Sequence, residues 1–227
     1  MRRIAAFFSV VLLGMAIPHL PAVSAAEGFF DNLSWSLQAS MLIIPEDNGL
    51  EGDPSPILGS MGGGVSYSFY DFFALEVTLD FYGTHYGFPD SVDWPVPYAI
   101  ENRSTLVIGS ILGVQAVYRA NFTDKIRLRV YGGPAADLRL CLIASGLEGA
   151  DRDDASSQTD KIVSYFWEKG RWFYPVAGVG MDFTVTEKIL AGFDLRAWFP
   201  VYKLWTGEDL PGVEGWRFAA GLRVTFR

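Results

Sequence analysis

FALEVTLDFYGTHY, residues 73–86, sorts its side chains by parity. Phe73, Leu75, Val77, Leu79 and Phe81 form one set; Ala74, Glu76, Thr78, Asp80 and Tyr82 form the other. Only a period of two places these sets on opposite faces, so the stretch is a β-strand; a helix would interleave them. One face demands an apolar medium. The other demands surroundings that satisfy two carboxylates.

The same demand recurs along the chain. Leu33 to Ile43 sets Leu33, Trp35, Leu37, Ala39, Met41 and Ile43 against Ser34, Ser36, Gln38 and Ser40. After an acidic, proline-containing segment, Met61 to Tyr70 sets Val65, Tyr67 and Phe69 against Gly62, Gly64, Ser66 and Ser68, and Asp71-Phe72 turns it into the opening stretch as a hairpin. Leu106 to Arg119 follows, with Leu106, Ile108, Leu112, Val114, Ala116 and Tyr118 on one face. Ile126 to Leu142 opposes Ile126, Leu128, Val130, Leu138 and Leu140 to Arg127, Arg129, Tyr131, Asp137 and Arg139. Phe173 to Phe183, Ile189 to Phe199 and Trp216 to Phe226 complete the series, with Asp182, Asp194, Arg196, Arg217 and Arg223 on their polar faces. This pattern predicts eight strands of about ten residues, the length a tilted strand needs to cross a bilayer. Short and long connections alternate between them.

At 227 residues, 50% hydrophobic and 15% aromatic, the chain can build one large domain with a sizeable core or a membrane face. Arg2 and Arg3, the apolar run Ile4 to Ile17 and the small-residue site Val23-Ser24-Ala25 read as a secretory signal over residues 1–25, cleaved to leave a barrel domain over residues 26–227. That run is shorter than the ~20 residues of a spanning helix, and no later apolar run reaches that length. The net charge of −8, made more negative by loss of Arg2 and Arg3, argues against a nucleic-acid partner. Cys141 is the single cysteine, so there is no disulfide framework and no cysteine at the cleavage site for a lipid anchor.

Alternation alone allows the apolar face to point outward, as in a membrane barrel, or inward, as in a soluble barrel. Lysine decides between them. Lys125, Lys161, Lys169, Lys188 and Lys203 all fall in proposed turns or loops, whereas a soluble barrel needs such residues on its water-facing strand positions. Aromatics gather at strand ends, with Trp35, Tyr70, Phe72, Tyr118, Phe183 and Phe226 at one rim and Tyr86, Trp172, Phe199, Tyr202 and Trp216 at the other, as in the interfacial girdles of bilayer proteins. The inward face then carries Arg119, Arg127, Arg129, Arg139, Arg196, Arg217 and Arg223 together with Glu76, Asp80, Asp137, Asp182 and Asp194, a near balance suited to pairing.

With this pattern the chain resembles the small eight-stranded outer-membrane barrels of diderm bacteria: OmpW/OprG-like proteins, OmpX/Ail-like proteins and the OmpA transmembrane domain. The resemblance covers residues 27–227 and is carried by strand pattern. Its most local feature is Trp216 to Phe226, which resembles the C-terminal strand such barrels present to the assembly machinery, although here Arg227 follows the aromatic residue. It implies an all-β, eight-stranded antiparallel transmembrane β-barrel with short periplasmic turns and long extracellular loops, held in outer-membrane lipid. Members of the group anchor, adhere or pass small hydrophobic compounds, and some modify lipid A, so the fold does not settle the function. The expected role is that of a structural or surface-interaction protein, not an enzyme, with a side-chain-filled polar lumen and acidic loops offered to an extracellular ligand. A narrow OmpW-like channel is the alternative, and a lipid A-modifying enzyme is a third reading.

An acyl-transfer or deacylase site needs a base beside a nucleophile. After the signal segment the chain has only His85, in Thr84-His85-Tyr86-Gly87, with no serine adjacent and Ser91 in the segment beyond. No catalytic set, metal-ligand spacing, P-loop or dinucleotide motif occurs, and no cofactor is expected. Asp151, Asp153 and Asp154 form a surface-loop acidic cluster that reads as a solvated loop. The candidate site is the lumen, whose expected ionic network is Glu76, Asp80, Arg127, Arg129, Asp137, Arg139, Asp194, Arg196, Arg217 and Arg223. Eight strands leave an interior just wide enough for side chains to fill. Counting residues up from the short turns places Glu76 with Arg129 and Arg223, and Asp80 with Asp194 and Arg196, in two stacked layers, with Glu76 expected to pair with Arg129.

Overall fold

Period-two alternation lays the chain out as antiparallel strands whose registers return on themselves. The structure, a computed structural model, describes residues 30–45, 57–86, 104–144, 167–206 and 216–227. The chain divides into Met1–Asp31 and Asn32–Arg227, and the second unit is the barrel. Its strands are β1 (Leu33–Ile43), β2 (Ile57–Tyr70), β3 (Phe73–Tyr86), β4 (Ser104–Asn121), β5 (Ile126–Gly133), β6 (Ala135–Ala144), β7 (Val176–Thr186), β8 (Ile189–Trp198) and β9 (Arg217–Phe226). They pair in the order β3-β2-β1-β9-β8-β7-β5-β4, and β4 pairs back onto β3 to close the ring.

β5 and β6 are one barrel strand interrupted at Pro134, whose nitrogen has no hydrogen to donate to a ladder. The register against β4 does not slip there: Ala116 faces Gly132 on one side of the proline, and Gly113 faces Ala135 on the other. The Val114 N–H still donates to the Pro134 carbonyl at 3.0 Å. Counting the interrupted strand once, the barrel has eight strands. The seam that closes it is β1 against β9, from Trp35↔Phe226 to Ile43↔Phe218. Turns at 71–72, 122–125 and 187–188 lie at the end that also holds the start of β1 and the finish of β9. The connections at the opposite end lie partly or wholly outside the described residues, as do residues 1–25.

Faces follow parity as the sequence predicts, with the apolar set outside. Trp35 is 61% exposed, Leu37 64%, Met61 72% and Leu222 72%, while Ser36, Gln38, Glu76, Asp80 and Arg223 are buried. Strand ends differ from the sequence reading for local reasons. β2 begins at Ile57, four residues inside a stretch read as loop, because Ile57 and Leu58 find Ile43 and Leu42 across the ladder. β7 begins at Val176 instead of Phe173, since Pro175 cannot donate. The first rim of aromatics is real: Tyr70 stacks on Phe72 with centroids 5.3 Å apart, and Phe72 lies 6.2 Å from Tyr118. At the other rim Phe199 meets Trp216 edge-on at 4.7 Å. Tyr202 does not belong to that rim. It is buried, 5.6 Å from Tyr174, because the segment after β8 folds back over the barrel mouth into a short helix, α1 (Lys203–Thr206).

Candidate functional site: the ionic lumen

Parity delivers the inward residues, and the barrel's small bore forces them together. At the end bearing the short turns, Arg223 grips Glu76 with a two-pronged pair, 2.6 Å from Nη1 to Oε1 and 2.7 Å from Nη2 to Oε2, and its Nε donates to Thr225 at 3.1 Å. This fork-to-carboxylate geometry is the strongest form of side-chain ion pair. In the middle, Arg129 lies between two carboxylates, 2.8 Å from Asp182 and 2.8 Å from Asp194. Arg196 pairs with Asp80 at 2.7 Å and donates to Ser40 at 2.8 Å, while Gln38 donates to the other Asp80 oxygen at 2.8 Å. At the far end Asp137 accepts from Arg217, from Arg139 at 3.0 Å and from the Tyr82 hydroxyl at 2.9 Å. Above it Tyr174, Tyr202 and Trp198 form an aromatic lid, with the Arg217 guanidinium 4.2 Å from the Tyr174 ring centroid. Glu76, Asp80, Asp137, Arg129, Asp194, Arg196, Arg217 and Arg223 are all buried.

The structure therefore brings the expected charges into contact but changes one partnership. Glu76 pairs with Arg223, not Arg129; Arg129 is opposite Gly180 on the β5–β7 ladder and is drawn to the carboxylates flanking that glycine's row. Nor are there two separate layers, because Asp194 ties Arg129 to Tyr131 at mid-height. Arg127 makes no ion pair among the described residues; its Nε donates to Asn121 at 3.1 Å. Asp151, Asp153 and Asp154 lie outside the described residues, as do the side chains of His85, Tyr86 and Cys141. Arg171, buried near Arg139, was missed because it falls in a stretch without alternation. Among the described residues no group of His, Cys, Asp or Glu is placed to hold a metal ion.

Two cross-strand pairs show how the network is held. Tyr82 is opposite Gly109 and Tyr131 is opposite Gly178, and in each pair the ring lies over the glycine where a Cβ would be. Each tyrosine then donates to a carboxylate, Tyr82 to Asp137 at 2.9 Å and Tyr131 to Asp194 at 3.1 Å. Gly178→Val is therefore expected to push Tyr131 off Asp194 and to lower unfolding stability by about 1–3 kcal/mol, the usual cost of overpacking. Gly83→Ala, where no atom lies within 4 Å, is the control and should stay within about 0.5 kcal/mol of the parent in urea titrations of the folded protein.

An eight-stranded antiparallel barrel with an apolar exterior and a buried ionic interior is of the transmembrane β-barrel class. No family model and no curated protein matches the chain. Among solved structures it is similar to Neisserial surface protein A, at 12% identity and a TM-score of 0.46 over 86% of this chain and 96% of that one. It is also similar to OprG from Pseudomonas aeruginosa, at 10% identity and 0.44 over 86% and 95%. The N-terminal barrel domain of OprF from the same organism gives 15% identity and 0.42 over 85% and 96%.

Proposed function

We propose that the protein is an outer-membrane β-barrel, exported by residues 1–25, that acts as a structural or surface-interaction protein with a closed lumen. The observation that carries this reading is the inversion of polarity: exposed Leu37, Met61, Val77, Val130, Leu195 and Leu222 surround an interior where Glu76, Asp80, Asp137, Asp182 and Asp194 each meet an arginine. Such an exterior is stable only in lipid, and such an interior leaves little room for solute. The strand Trp216 to Phe226 is the segment offered to the assembly machinery, and the loops opposite the short turns carry contact with an extracellular ligand.

Val77→Arg tests lipid exposure. Val77 is 43% exposed in the middle of β3, and an arginine there should cost about 2–4 kcal/mol in a bilayer-embedded barrel. In a soluble barrel it would cost almost nothing. The readout is the midpoint of heat-modifiable migration after refolding into lipid, with protease cleavage of intact cells limited to loops. Midpoints equal to the parent's would overturn the membrane reading.

A further inference from the structure

At the short-turn mouth of the lumen, two of its arginines form no direct ion pair with its carboxylates. Arg129, Arg139, Arg196, Arg217 and Arg223 each lie within 3.0 Å of a carboxylate. Arg119 and Arg127 do not. Their positions are adjacent on one face of the β4–β5 ladder, where Asn121 faces Arg127 and Arg119 faces Arg129. Arg119 donates to two neutral oxygens, Ser68 Oγ at 2.7 Å and Ser66 Oγ at 2.8 Å, and Arg127 donates to Asn121. Each serine hydroxyl accepts from Arg119 and so keeps its own proton to donate, yet neither proton has an acceptor among the described residues. Ser66 is 1% exposed, so this is a buried donor in need of a partner. Arg227, just beyond β9, extends the positive field toward water; partial burial first, and Arg127 second, hold its pKa below the ordinary value. Of the acidic residues at this end, Glu76 is forked by Arg223, Asp182 faces Arg127 across the β5–β7 ladder but pairs with Arg129, Asp71, Asp124 and Glu187 are on the turns, and Asp31 is exposed just before β1.

We propose that Arg119 and Arg127, with the hydroxyls of Ser66 and Ser68, form a binding site for a phosphate-class oxyanion at the short-turn mouth of the barrel. Each guanidinium has five N–H donors, of which Arg119 uses two on the serines and Arg127 one on Asn121, and the remaining donors suit an oxyanion whose hydrogen bonding the hydroxyls complete. The anion supplies the charge that the mouth lacks and accepts the serine protons. The source is a free phosphoester in the aqueous mouth or the headgroup of a lipid at the rim. The site requires a folded barrel and is independent of whether the lumen conducts.

Inorganic pyrophosphate is the probe. Titrated calorimetrically into the refolded, detergent-bound protein at low salt, it should bind saturably at one site, and should weaken steeply as salt is raised toward about 0.5 M. Arg127→Gln should weaken binding roughly tenfold or more, the worth of one charge-assisted contact, and Arg119→Gln with Arg127→Gln should abolish it. Lys188→Gln, at the same end but on a turn, should leave it unchanged. Retained heat-modifiable migration separates loss of the site from loss of the barrel; if the double variant does not fold, Arg127→Gln, whose side chain is partly exposed, decides alone. In phosphatidylcholine bilayers, competition by added phosphatidylglycerol assigns the site to lipid headgroups, and its absence assigns it to soluble anions. No saturable binding to the wild type, or parental affinity in a folded Arg127→Gln variant, overturns the proposal.

Discussion

Asp137→Ala should lower the unfolding free energy by about 3–5 kcal/mol, because it removes a buried carboxylate that pairs with buried Arg217 and with partly buried Arg139. Asp137 is 2% exposed and Arg217 1%, and the carboxylate also accepts the Tyr82 hydroxyl. Without it, Arg217 and Arg139 lose the carboxylate they share beneath the aromatic residues Tyr174, Tyr202 and Trp198. Asp137→Asn keeps the shape and an acceptor oxygen but loses the charge, so it should fall between the parent and alanine. The measurement is urea unfolding in lipid, followed by the folded and unfolded bands on gels. A loss under about 1 kcal/mol would mean that water or a counter-ion enters, and that the far end of the lumen is not sealed.

Glu76→Ala should be nearly as costly, since it strands Arg223 in the same way, at about 3–5 kcal/mol unless water fills the gap. If water does fill it, the change appears as a rise in planar-bilayer conductance. The partner assignment makes this sharper than a single substitution can. Adding Arg223→Ala should recover part of the loss, because both charges are then gone. Adding Arg129→Ala should deepen it, since Arg129 answers Asp182 and Asp194 and its removal strands two more carboxylates. Rescue by Arg129 instead of Arg223 would reassign the pair. Unchanged stability and unchanged conductance in Glu76→Ala would refute the plugged lumen.

Which residues face inward was legible in the chain, because parity holds through the body of the strands, with register shifts at Ser68–Tyr70 and Thr184–Thr186 beside the turns: even Pro134, which breaks the β5–β6 strand, leaves Arg129 and Asp137 on the same side. Which inward residues touch was legible only to the level of a tier. Height along the barrel depends on residue count and tilt, and it assigned Glu76, Arg129 and Arg223 to one layer and Asp194 to another, whereas Arg129 reaches Asp194. Their position around the circumference depends on the register of every intervening ladder, and this made Arg223 the partner. The burial of Tyr202, read as a rim residue, and of Arg171 was not legible, since both belong to segments without period. Arg119 and Arg127 were visible as inward cations, but their lack of carboxylate partners emerges only once the other five arginines are matched.

The β1–β9 seam has a consequence for the order of folding. It joins the first strand of the barrel to the last, so its loop-closure entropy is met only when nearly the whole sequence is in place. Until β9 arrives, Glu76 on β3 lacks the guanidinium that forks onto it, because Arg223 is carried by β9. A chain shortened at β9 would thus lose its last ladder and its best ion pair together. Backbone closure and the Arg223 fork onto Glu76 are one event, so a chain that lacks β9 presents an unpaired sheet edge to the bilayer and lacks the lumen's two-pronged ion pair.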